Sequence, residues 1–114
     1  EKQERYIREL VQGVFSHGAE LDDYISRYSV GWAFARIPRM AAAVMRTAMY
    51  EVLYMSDIPN AAAINEAVEI AKKYEPVEVV SFLNGILGSF VRAEFEDTPP
   101  RPEKKTEIQG GEDG

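Results

Sequence analysis

A chain of 114 residues fits one small domain, and an apolar fraction of 46% suffices for one hydrophobic core. The absence of cysteine excludes a disulfide scaffold and a thiolate metal site, and no apolar run approaches the roughly 20 residues that a membrane-spanning helix needs. The net charge is −6, and seven acids against three bases from Glu94 onward place most of it in the last stretch; residues 1–93 are nearly balanced and lack the basic footprint of a stand-alone nucleic-acid binder.

The chain opens Glu-Lys-Gln-Glu-Arg, with no apolar stretch behind a basic start, so no signal peptide is expected and the cytoplasm is the expected location. It does not begin with methionine, which predicts that a segment upstream is missing. Helical periodicity then dominates. Tyr6, Ile7, Leu10, Val11, Val14 and Phe15 predict an amphipathic helix from about Gln3 to Ser16 with these residues inward, and Gly18 is a natural stop. A second helix carries Leu21, Tyr24, Ile25 and Tyr28 on one side, with Asp22 and Asp23 in its first turn, where the helix dipole favours negative charge. Residues Ser29 to Ile37 are irregular, and Trp32 and Phe34 are expected to pack aromatic rings onto the core.

Pro38 opens a third helix at its favoured first-turn position. This helix runs to about Met55 with Ala41, Val44, Met45, Ala48, Val52 and Leu53 inward; Met40, Met45, Met49 and Met55 read as core filler. Ser56-Asp57-Ile58-Pro59 is a break signal. A fourth helix from Asn60 or Ala61 turns Ile64, Ala67, Val68 and Ala71 inward. Pro76 precedes a fifth with Val79, Phe82, Leu83, Ile86, Leu87 and Phe90 inward, and a close helix–helix contact is the expected reason for Gly85 inside it. The stretch after Glu94 holds Pro-Pro, Gly-Gly and mixed charges, and is expected to be disordered. The prediction is an all-α fold: a helical domain over residues 1–93 with about five helices, and a disordered acidic tail over 94–114.

Ala63-Ile64-Asn65-Glu66-Ala67-Val68-Glu69-Ile70-Ala71-Lys72-Lys73-Tyr74 resembles the core motif of the NusB family, and Ser81-Phe82-Leu83-Asn84-Gly85-Ile86-Leu87 follows it at the right distance and resembles the family's second motif. Arg46, Ala48, Tyr50, Glu51 and Asp57-Ile58-Pro59 match the helix and break that precede them. The resemblance runs from about Arg5 to Val91. It implies a NusB-like helical bundle, of about seven helices in two subdomains when entire. It also implies a transcription antitermination factor that binds boxA RNA of ribosomal RNA leaders together with NusE, a small-subunit ribosomal protein, within the antitermination complex of RNA polymerase. The sequence departs from the family in two places. The arginine-rich segment and roughly two helices at the NusB N-terminus stand outside it, and Ala61-Ala62 occupies a position where the family often has lysine. Because phosphate contacts dominate nucleic-acid affinity, both departures remove expected RNA contacts.

The resemblance points to RNA-binding candidates. Phe82 lies on the helix beside the RNA in the family, where a ring stacks on an unpaired base; its neighbours Leu83 and Ile86 suit a core role equally. Ser81 and Glu78 correspond to polar family residues near RNA and NusE, and Glu78 also suits the first turn of a helix; Glu78 and Phe82 are the candidates for partner contact. Tyr28 corresponds to a family tyrosine near the RNA surface, although its spacing from Tyr24 favours the core. Lys72 and Lys73, with Arg36, Arg39 and Arg46, form a candidate basic patch, or else pair with Glu69. Asn65, Glu66 and Asn84 read more readily as structural. Nothing supports catalysis, a metal or a cofactor: His17 is the single histidine, read as a cap or a solvated residue at a helix end, and no glycine-rich phosphate loop is present. The protein is therefore expected not to be an enzyme. The rival readings are an RNA-docking domain of a ribosomal-RNA cytosine methyltransferase and a helical protein-interaction module without RNA binding. Apolar surface left uncovered by the missing helices predicts self-association into a homo-oligomer.

Overall fold

The computed structural model describes residues 2–33 and 36–96. Five helices follow one another: α1 (Lys2–Ser16), α2 (Gly18–Tyr28), α3 (Arg39–Tyr54), α4 (Asn60–Tyr74) and α5 (Val77–Val91), with a π-helical turn at Arg92–Glu96. Three prolines set the starts of the last three helices. Pro38, Pro59 and Pro76 each sit in extended backbone immediately before the first helical residue, where a residue with no N–H leaves no donor unpaired. Their carbonyls accept the first intrahelical bonds, from Ala42 N–H at 2.9 Å, Ala63 N–H at 3.1 Å and Val80 N–H at 3.1 Å. Pro38 thus precedes the helix instead of occupying its first turn.

The core is built around α3, against which all four other helices pack. Ala41, Val44, Met45, Ala48, Val52 and Leu53 are buried as the periodicity predicted, together with Met49, Tyr50 and Glu51; Met40 is the methionine that faces outward. α4 presents Ala63, Ala67 and Ala71, one small residue every turn, which lets it lie close on α3. Ile64 and Val68 flank that line and are half-buried. α5 buries Val79, Leu83, Ile86, Leu87 and Phe90. The two- and five-residue links between α3, α4 and α5 make these neighbours antiparallel.

α1 departs from its expected face. Its six apolar residues cover too wide an arc for one contact, and the line of Tyr6, Leu10 and Val14 packs against the core. Ile7, Val11 and Phe15, four residues apart, are 53%, 61% and 87% exposed. Gly13 decides which line is inward: a Cβ there would lie 2.0 Å from Tyr50 Cζ, so α1 and the Tyr50 ring approach as only glycine permits. Gly18 begins α2 instead of merely ending α1. His17 at the joint neither caps α2 nor faces solvent freely. Its ring stacks on Tyr54 at 4.5 Å, and Nδ1 lies 3.5 Å from Glu20 Oε1. The earlier start of α2 puts Glu20 in its first turn, so Asp22 and Asp23 serve a different purpose from dipole stabilisation: Asp22 Oδ1 accepts from Arg46 Nε at 2.6 Å and Asp23 Oδ2 from Arg27 Nη2 at 2.6 Å.

The link from α2 to α3 contains Gly31 in the left-handed region at φ +88°, where a side chain would be strained. Trp32 folds back from it onto the core; Phe34, expected to do the same, lies outside the described residues. At the other end the helical course continues three residues beyond the expected boundary at 93. Tyr28 Oη donates to Glu94 Oε2 at 2.6 Å, and Phe95 meets Phe90 edge-on at 6.4 Å, so an acid and a ring counted with the tail belong to the fold. Residues 97–114 lie outside the described residues.

Candidate functional site

Glu78, Ser81 and Phe82 fall at helical spacing on one face of α5, with Glu78 and Ser81 exposed and Phe82 half-buried. The ring of Phe82 is stacked on Trp32 with centroids 4.3 Å apart and planes 22° from parallel. One face of the candidate stacking residue is therefore already occupied by an aromatic ring of the same chain, and the pair forms a unit. Lys72 and Lys73 are exposed in the last turn of α4, a few residues before α5 begins, so they stand at the same end of the molecule as Glu78. Lys72 Nζ is 3.1 Å from Glu69 Oε2. Both groups are largely exposed, and such a pair contributes under about 1 kcal/mol, so it leaves the lysine available to other anions. Because α3 runs antiparallel to α4, exposed Arg39 begins at this end too. Arg46 does not join the patch: it lies seven residues after Arg39, about 10 Å further along α3, where it meets Asp22 of α2.

Tyr28 is set apart from these residues. It lies against Phe90, with ring centroids at 6.3 Å, and Phe90 comes eight positions after Phe82 on the helix, about 12 Å along the axis. Its hydroxyl is committed to Glu94, whose carboxylate Arg27 Nη1 also approaches at 3.3 Å. Burial first, and then the Glu94 carboxylate, raise the Tyr28 pKa above the ordinary tyrosine value. The tyrosine works as a clasp between α2 and the end of α5.

Asn65, Glu66 and Asn84 are exposed. Glu66 lines a groove of about 320 Å³ between α1, α3 and α4, together with Tyr6, Leu10, Thr47, Glu51 and Ile70. Tyr6 donates to the buried Glu51 carboxylate. Burial, followed by that bond, pushes the Tyr6 hydroxyl well above the usual tyrosine range. Two carboxylates make this groove unsuited to phosphate. Among the described residues no group of three or more His, Cys, Asp or Glu side chains is placed to hold a metal ion, and no helix is long and apolar enough to cross a membrane.

Sequence reasoning missed Trp32 as part of the α5 face. It is the single tryptophan of the chain and sits in an irregular segment, where no periodicity reveals what it covers. The order of elements, the break at Asp57-Ile58-Pro59 and the motifs on α4 and α5 meet a common pattern: the NusB family model matches residues 1–92.

The chain belongs to the NusB family.

It is 45% identical over 95 residues to the transcription antitermination protein NusB of Acetivibrio thermocellus, an alignment that covers 83% of this chain and 66% of that protein. The protein of the same name from Thermoanaerobacter sp. is 46% identical over 93 residues, covering 82% and 66%. Among solved structures, T. maritima NusB superposes with a TM-score of 0.76 at 36% identity, over 81% of this chain and 65% of that one. The chain thus spans slightly less than two thirds of the length of these NusB proteins. The part it shares includes both motif segments and the helices α4 and α5 that carry them.

Proposed function

We propose that this chain acts in transcription antitermination, binding boxA RNA of ribosomal RNA leaders together with NusE as a component of the RNA polymerase antitermination complex. The observation that carries this reading is its 45% identity, over 83% of its length, to a transcription antitermination protein. The α5 face supports it chemically. Phe82 and Trp32 offer an aromatic surface, Ser81 a hydroxyl, and Lys72 and Lys73 mobile cations at the adjoining helix end. Single-stranded RNA is read through these elements: rings for bases, hydroxyls for their edges, cations for phosphates. Glu78, exposed at the start of α5, suits a basic ribosomal protein better than RNA and is assigned to NusE. A factor acting on nascent ribosomal RNA of a bacterium works in the cytoplasm.

The test is a titration of labelled boxA RNA with the chain, with and without NusE, at several salt concentrations, against a scrambled RNA of equal length. Preference for boxA, strengthened by NusE, is the expected result. Replacing Lys72 and Lys73 by alanine is expected to weaken binding and to flatten its salt dependence by about one to two phosphate contacts. Equal affinity for boxA and scrambled RNA under both conditions refutes the reading.

A further inference from the structure

We propose that Gly85 is a contact position of the RNA-facing surface, kept without a side chain so that a nucleotide lies on the backbone of α5 beside the Trp32–Phe82 pair. The inference rests on the RNA reading above and adds a residue to it. Three glycines lie in the interior of described helices, at 13, 85 and 88. After proline, glycine is the least favourable residue at such a position. Gly13 is explained by Tyr50, which a Cβ would strike, and Gly88 has the Arg92 guanidinium 3.5 Å from the place of its missing Cβ. Among the described residues, a Cβ at Gly85 would meet nothing within 4 Å. Among the described residues the close contact between helices that sequence reasoning assigned to it is not there, and nothing repays its cost in helix stability.

What surrounds Gly85 indicates the ligand. Phe82 lies one turn earlier on the same face, with Trp32 stacked on it. Between Ser81 and Arg92 the exposed positions of this segment are Ser81, Asn84, Gly85 and Arg92, and none is aliphatic. An apolar protein segment would find little to bury. A nucleotide finds an aromatic pair, a hydroxyl and an amide for base edges, and a guanidinium within two turns for phosphate.

The experiment uses the full chain, its single tryptophan as the reporter, and the boxA and scrambled RNAs of the titration above. Gly85→Ala and Gly85→Leu are compared with the parent for thermal melting and for RNA affinity, with and without NusE. Both variants are expected to melt at or above the parent, the alanine variant by several degrees, while the leucine variant binds boxA at least tenfold more weakly and quenches Trp32 less. Variants that melt higher and bind as the parent does overturn the proposal alone. A loss of binding accompanied by lower melting also overturns it, since Gly85 would then serve packing. So does a loss confined to the NusE-dependent gain, which would make the contact one with protein. A parent that fails to distinguish the two RNAs overturns both this proposal and the reading beneath it.

Discussion

Gly13→Ala tests the docking of α1 most directly. In an isolated helix this exchange stabilises by about 1 kcal/mol. Here the new methyl group would lie 2.0 Å from Tyr50 Cζ and 2.3 Å from Tyr50 Oη, against about 3.5 Å for a relaxed contact. A shift of more than 1 Å has to be found. Tyr50 is fully buried, with Tyr54 at 5.0 Å and His17 at 5.7 Å between ring centroids, so its ring has little room, and displacing α1 opens the Tyr6–Glu51 hydrogen bond. Overpacking of this kind costs roughly 1–3 kcal/mol and occasionally more, and the net loss expected here is about 1–2 kcal/mol. For a domain of this size each kcal/mol lowers the melting temperature by roughly 4–8 °C, so thermal unfolding followed by circular dichroism resolves it easily. Gly85→Ala is the internal control, because the same chemical change in open space is expected to raise the melting temperature. A Gly13→Ala variant that melts at or above the parent would show that Tyr50 does not fix α1.

Tyr6→Phe removes a donor from the buried Glu51 carboxylate and is expected to cost about 1–3 kcal/mol in urea unfolding; an unchanged midpoint would make that bond irrelevant to stability. The hydroxyls of Tyr6 and Tyr54 both have raised pKa values in the fold, from burial first and then from Glu51 and Glu20. A raised folded-state value favours the protonated form, so their contribution is intact below pH 10, the unfolded value, and is lost as pH climbs beyond it; the alkaline limb of the stability profile should be shallower in the double phenylalanine variant. Phe82→Ala strips the stacking partner from Trp32 and is expected to shift tryptophan emission to the red, with a loss of about 0.5–1.5 kcal/mol for the ring pair beyond its buried area. The Asp22–Arg46 bridge is short but half-open to solvent, and a double-mutant cycle should return a coupling below about 1 kcal/mol that shrinks with added salt.

The helices were legible in the sequence because their signals are local. Pro38, Pro59 and Pro76 punctuate the chain within a residue or two of the true starts, and the periodicity of α3 and α5 assigned their buried faces. α1 was misread because both of its candidate lines are apolar, and the choice between them is made by Tyr50, 37 positions after Gly13. The two glycines taught opposite lessons for the same reason: what a missing Cβ is for depends on what stands across from it. The second motif segment named Ser81 and Phe82 as candidates, and the family resemblance added Glu78. The stacking of Trp32 on Phe82 was not legible because the two are 50 residues apart, nor was the bond of Tyr28 to Glu94, because that acid lies in a stretch that composition assigns to a loose tail.

The slight burial of α1 has a consequence for how the protein opens. One residue of this helix, Gly13, is buried, against ten in α3, and the hydrogen bond from Tyr6 to Glu51 closes a loop of 45 residues. Contacts so distant in sequence form late, after the antiparallel pairs that follow one another along the chain. Native-state hydrogen exchange should therefore release the amides of α1 through a sub-global opening at lower free energy than those of α3. Limited proteolysis, where it acts within residues 2–91, should cut α1 before it reaches the α3–α4–α5 frame.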